Sequence, residues 1–203
     1  MIFYDIIFCM EESILFSLIV LFLSISIHEL SHGSVAFLLG DPTAKEEGRL
    51  TLNPLKHIDF IGTIFIPFFL VLSGSPVVFG WAKPVPVNPF YFKNPKLDMA
   101  KVALAGPLSN YLIAILFAIL YRFFPSSYFY LISLYNFLLG TFNLFPIPPL
   151  DGSWFLNLLP PKIFQVRDFI FQWGILFLIL FLFFGLNIVY QISIFLFKFF
   201  SGS

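Results

Sequence analysis

Two histidines and a glutamate sit inside a long apolar stretch: His28-Glu29-Leu30-Ser31-His32 lies within the run 13–39. A run of that length reads as a membrane-crossing helix. On a helix, residues four apart share a face, so His28 and His32 stack and can grip one zinc ion together. Glu29 follows the first of them, where its carboxylate can reach a water held by the metal and act as general base. A carboxylate and two imidazoles at membrane depth lose their hydration. Such groups mark function and require partners.

The remainder of the chain agrees with a membrane setting. Of 203 residues 59% are hydrophobic and 11% charged, about half the charge content of a soluble domain. Eleven basic residues balance eleven acidic ones, which leaves no footprint for nucleic acid. The single cysteine, Cys9, excludes an internal disulfide and a cysteine-based zinc site. Residues 1–12 carry no Lys or Arg and three acidic side chains, so a cleavable signal peptide is not expected, and this stretch is placed at the interface or beside the bundle.

Taken in order, 13–39 is the first span and Gly40-Asp41-Pro42 stops it. Residues 43–59 are polar and broken, and the alternation around Leu50-Thr51-Leu52 predicts a short strand or hairpin at the membrane surface. The apolar segment that opens 60–79 holds Gly62 and Pro67 and is short for a crossing, which suits a re-entrant or surface-embedded piece. Prolines 84, 86 and 89 make 80–89 extended. Spans follow at 99–121 and 128–145, then Pro146-Ile147-Pro148-Pro149 breaks the helix just before Asp151. Residues 169–197 exceed one span, and Gly185 with Asn187 marks a kink or break. The expected fold is an all-α polytopic membrane protein, a single domain over 1–203. It is a bundle of about four to six transmembrane helices with a small surface β-hairpin or re-entrant region between the first two core spans.

Charge decides whether 60–79 crosses. If it does not, Lys45, Arg49, Lys56, Lys83, Lys93, Lys96, Lys101, Lys162 and Arg167 share one side against Arg122 and Lys198. Nine against two is a positive-inside bias, with the amino terminus outside. A crossing there would make the count six against five, which orients nothing. The segment is therefore read as non-crossing, and three crossings then bring Asp151 to the inner side, where the histidines also lie.

A catalytic zinc site takes three protein ligands and leaves one position open. Besides the histidines the candidates are Asp5, Asp41, Glu46, Glu47, His57, Asp59, Asp98, Asp151 and Asp168. Only Asp151 follows an apolar span and a proline-broken helix end, which lets a carboxylate turn back toward the bundle. Asn143 lies eight residues earlier, and an amide there can donate to the oxyanion of a tetrahedral intermediate. Asn110 can do the same, or can hydrogen-bond between helices, the reading preferred here. His57 and Asp59 are read as turn residues, and Trp81 as an interface anchor.

With these pieces assembled, the chain resembles the site-2 protease family of intramembrane zinc metalloproteases. The resemblance rests on HELSHG at 28–33, GRLTLNPLKHID at 48–59, GWAKPVPVNP at 80–89, AGPLSN at 105–110 and NLFPIPPLDG at 143–152, in that order. The second and third resemble the compact prokaryotic subgroup without a PDZ domain. The likeness implies one zinc per chain on His28, His32 and Asp151, Glu29 as base, and Asn143 as the oxyanion donor. It further implies cleavage of transmembrane protein substrates in the cell membrane, with the active site toward the cytoplasm. Such cleavage often frees a transcription factor or an anti-sigma fragment. A substrate helix hides its peptide bonds and must unwind, and the segments 49–54 and 83–89 offer extended backbone for strand addition. The rival reading is a non-catalytic metal-binding membrane protein or transporter on the same ligands, which loss of Glu29 discriminates.

Overall fold

A computed structural model describes residues 14–74 and 80–202 of the chain. The expectations for 1–12, with Cys9, and for 75–79 lie outside the described residues. The elements are α1 (Ile14–Leu38), α2 (Thr43–Glu46), a π-helical turn (Phe60–Phe65) leading into α3 (Ile66–Leu72), α4 (Pro95–Phe123) and α5 (Ser127–Asn143). A 3-10 helix (Asp151–Leu158) follows, and then α6 (Phe164–Gln172), α7 (Gly174–Phe184) and α8 (Leu186–Ser201). Among the described residues two helices are long and apolar enough to cross a bilayer alone, Phe16–Leu38 within α1 and Pro95–Phe123. α6 and α7 meet at a 74° bend and together have the length and apolarity of one broken span.

Local signals set the boundaries. α1 ends where Gly40 takes φ +108°, a conformation that side chains resist. The amide of Asp41 then reaches back to the Ala36 carbonyl at 2.9 Å. α4 begins with Pro95 behind Asn94, whose side chain accepts from the Leu97 amide. α1 packs across α4, and α4 pairs with α5 through small residues. A methyl on Gly140 would come within 3.1 Å of the Pro107 carbonyl, and Ser133 donates to the Ala114 carbonyl at 2.8 Å. In lipid, such close approach and such polar bonds hold helices together, because apolar burial alone drives little. Leu18, Ile19, Leu23, Leu108, Leu112 and Leu116 remain exposed on the outer faces.

The bundle has two distinct ends. At one, the Phe16 and Tyr128 rings stack edge-on at 4.7 Å, and Gly202 at the end of α8 lies against the Arg122 guanidinium. At the other, Arg49 donates to the carbonyls of Lys83 and Pro84, while Lys96 and Arg167 both lie over the Phe164 ring. α8 returns to α4 and α5 through Phe197, which contacts Tyr121 and Tyr130.

The β-hairpin expected between the first two spans is not formed, and no strand occurs among the described residues. Its backbone groups are satisfied within turns instead. Arg49 N bonds Ala44 O, Thr51 Oγ1 accepts from Asn53 N, and Asn53 caps a 3-10 turn over Pro54–Lys56. Of the stretch 80–89 expected to be extended, residues 80–88 form no helix and Pro89 opens a 3-10 turn, and side chains hold it in place of a neighbouring strand. The helix over 60–72 is six plus seven residues, about 20 Å of rise against a hydrocarbon thickness of ~30 Å. Phe60, Ile61, Phe65, Phe68 and Leu72 stand exposed along it. The C-terminal apolar run breaks at Gly185, as its excess length implies, and bends again at Trp173.

Candidate metal centre

His28 and His32 face α4 one turn apart. Nδ1 of His32 lies 2.7 Å from the Val102 carbonyl, which can only accept, so that nitrogen carries the proton. Nδ1 of His28 lies 2.6 Å from Oδ1 of Asn110. Both Nε2 atoms therefore turn inward, 3.0 Å apart. The loop after α5 brings the third group. Residues 146–149 carry the chain through a cis Pro148–Pro149 bond, and Gly152 lies so close to the Leu144 carbonyl that a side chain there would overlap it. Asp151 thereby starts its 3-10 helix with Oδ2 at 3.1 Å from His28 Nε2 and 3.3 Å from His32 Nε2.

These three atoms fit a zinc ion. A tetrahedron with metal bonds of about 2.05 Å has edges of about 3.3 Å, and the observed edges are 3.0, 3.1 and 3.3 Å. With both Nδ1 positions protonated, the two Nε2 lone pairs confront each other with no proton between them. A cation resolves that repulsion. Both imidazoles are buried, at 7% and 8% exposure, so water cannot resolve it as cheaply. Asp151 points Oδ2 at the same place and supplies the carboxylate that a divalent cation there calls for. Gly106 of α4 faces the same point, where a methyl would run into Nε2 of both histidines.

Glu29 is half-buried beside the cluster, and its Oε2 accepts from the Val85 amide at 2.8 Å. The extended strap that supplies this amide is fixed at both ends. Lys83 N donates to the His57 carbonyl at 2.8 Å, and Asn88 N to Asp41 Oδ2 at 2.7 Å. Asn143 ends α5, and its Nδ2 donates to the Leu139 carbonyl of its own helix at 2.9 Å, away from the three converging atoms. Among the rival ligands, Asp41 is spent on Thr43 and Asn88, Asp98 on Asn94 and Lys101, and Asp59 caps Gly62. His57 bonds the Thr51 carbonyl, a turn role as expected. Sequence reasoning gave Gly106 and Val102 no role and read the strap as a place for strand addition rather than as the partner of Glu29, since each acts through backbone or vacant volume rather than through side-chain chemistry.

A helical membrane protein with a buried cluster of two histidines and one carboxylate is the class that the fold and site define. Residues 122–182 match the family described as Peptidase family M50. "Putative zinc metalloprotease YwhC" of Bacillus subtilis is 40% identical over 182 residues, covering 80% of this chain and 78% of that protein. "Putative zinc metalloprotease Rip2" of Mycolicibacterium smegmatis is 30% identical over 168 residues, covering 79% of this chain and 63% of that protein. "Zinc metalloprotease MJ0392" of Methanocaldococcus jannaschii is 28% identical over 149 residues, covering 71% of this chain and 34% of that protein. The chain belongs to peptidase family M50, the site-2 protease family. Among solved structures none matches it.

Proposed function

We propose that this chain hydrolyses peptide bonds of transmembrane proteins within the bilayer as a zinc metalloprotease, with one zinc held by His28, His32 and Asp151. The observation that carries the reading is the convergence of His28 Nε2, His32 Nε2 and Asp151 Oδ2 at 3.0–3.3 Å spacing in a buried site. Zinc bound there acidifies water and polarises a carbonyl. Glu29, with one carboxylate oxygen tied to Val85 and the other free, takes the proton and returns it to the leaving amine. Asn143 gives up its bond to Leu139 and donates to the developing oxyanion.

The chain forms one intramembrane domain in the cell membrane of a prokaryote, and it crosses with α1, α4, α5 and the C-terminal run 169–197. The segment 60–79 is embedded without crossing, and the active site faces the cytoplasm. The exposed apolar face of 60–72 and the collection of cations at the ligand end of the bundle support this arrangement. The test pairs zinc analysis of purified protein with cleavage of single-span substrates. Glu29→Gln loses cleavage and keeps zinc, whereas Asp151→Asn loses both. A Glu29→Gln variant that still cleaves would overturn the proposal.

A further inference from the structure

Behind the ligands lies a second set of polar side chains, buried between three helices, that the hydrolytic scheme does not use. Asn110 on α4 and Asn136 on α5 are both fully buried, and Ser24 on α1 is 4% exposed. Nδ2 of Asn136 bonds the Ile132 carbonyl at 2.8 Å and Ser24 Oγ at 2.9 Å. Asn110 Nδ2 meets Asn136 Oδ1 at 2.9 Å and the Ser24 carbonyl at 3.4 Å. Asn110 Oδ1 meets His28 Nδ1 at 2.6 Å.

The polarity of this chain of bonds is set from one end. A backbone carbonyl only accepts, so the amide nitrogen of Asn136 must face Ile132 and its oxygen must face Asn110. Asn110 then has to present its nitrogen to Asn136 and its oxygen to His28. An oxygen without a proton at 2.6 Å admits only one tautomer of His28, the one protonated on Nδ1. That tautomer leaves the Nε2 lone pair directed at Asp151 and His32. We infer that Asn110 and Asn136 are positioning residues that fix the His28 tautomer for the metal, with Ile132 O as the reference that orients both amides. His32 receives the same instruction in one step from Val102 O. His28 receives it in three, because no carbonyl of α4 reaches its Nδ1, and a side chain must bridge from α5.

The inference rests on the zinc reading above, and its test separates the two. Wild type, Asn110→Leu, Asn110→Asp and Asn136→Leu are purified in detergent, their folding is compared by thermal melting without metal, and zinc affinity is measured by competition with a chromophoric chelator. Leu matches Asn in size but offers no acceptor, whereas Asp keeps an acceptor on His28 and, with a proton on its other oxygen, a donor to Asn136 Oδ1. Loss of such a metal-orienting partner lowers affinity about 10- to 100-fold, so Asn110→Leu falls by that much, Asn136→Leu by less, and Asn110→Asp stays within about threefold. A role in helix packing alone gives the opposite order, because a carboxyl in this apolar setting disturbs packing more than Leu does. Asn110→Leu that folds and binds zinc as the wild type does, or Asn110→Asp that binds as poorly as Asn110→Leu, overturns the inference alone. A folded wild type that takes up no zinc overturns the metal reading and this assignment with it.

Discussion

The amide nitrogen of Val85 donates to Oε2 of Glu29 across 2.8 Å, although the two residues lie 56 positions apart. The flanking Pro84 and Pro86 have no amide hydrogen, so Val85 offers the one N–H of that tripeptide, and offers it to the proposed base. Gly33 makes the approach possible. A methyl there would collide with Val85 and Leu50, so the HELSHG glycine is the seat on which the strap lies.

Replacing Val85 by Pro removes that donor while leaving an extended backbone, which Pro86 already imposes on this position. A hydrogen bond to a charged group is worth about 1.5–3 kcal/mol, so cleavage falls roughly 10- to 100-fold. Zinc content stays at one per chain, since no ligand is touched. Cleavage assays beside metal analysis check this, and an unchanged rate would show that Glu29 works without that amide.

Gly106→Ala abolishes zinc binding. In most helices the change stabilises by up to about 1 kcal/mol, so loss of metal cannot be assigned to a weaker helix. Here the added methyl would occupy the space of both Nε2 atoms and force the imidazoles apart. Metal content of the purified variant, with helicity from circular dichroism as control, decides it. A variant that retains one zinc would show that α1 and α4 can separate without cost to the site.

The convergence of His28, His32 and Asp151 was legible because each carries chemistry at a place where chemistry is rare. His28 and His32 stand four apart in an apolar helix, and Asp151 follows a proline break that can only turn the chain. The hairpin was misread because Leu50-Thr51-Leu52 alternates as a strand does, while Thr51 and Asn53 side chains satisfy the neighbouring amides and make turns sufficient. Gly106 stayed silent for another reason. Its contribution is an empty volume, which exists only once α1 lies against α4. Asn136 is a polar residue inside the span 128–145, but its link to His28 runs through Asn110 on another helix and has no sequence spacing to betray it.

Asn143→Ala separates catalysis from metal binding. Removal of an oxyanion donor lowers turnover about 100- to 1000-fold. The side chain bonds Leu139 of its own helix, so zinc affinity should stay near that of the wild type. Single-turnover cleavage and chelator competition measure the two quantities. A fall in zinc affinity matching that of Asp151→Asn would reassign Asn143 to the metal.

Orientation can be tested through the cations at the two ends. Lys56 lies on the ligand side, in the segment whose His57 anchors the strap, and Arg122 lies at the opposite end beside Gly202. In a chain with Cys9 changed to Ser, Lys56→Cys and Arg122→Cys each provide one thiol. With the active site toward the cytoplasm, a membrane-impermeant maleimide added to intact cells labels Arg122→Cys and spares Lys56→Cys until the membrane is broken. The reverse pattern would invert the topology. Labelling of both in intact cells would mean that 60–79 crosses as well as α4, or that neither does. Nine cations against two predict the first result, because cytoplasmic loops retain Lys and Arg.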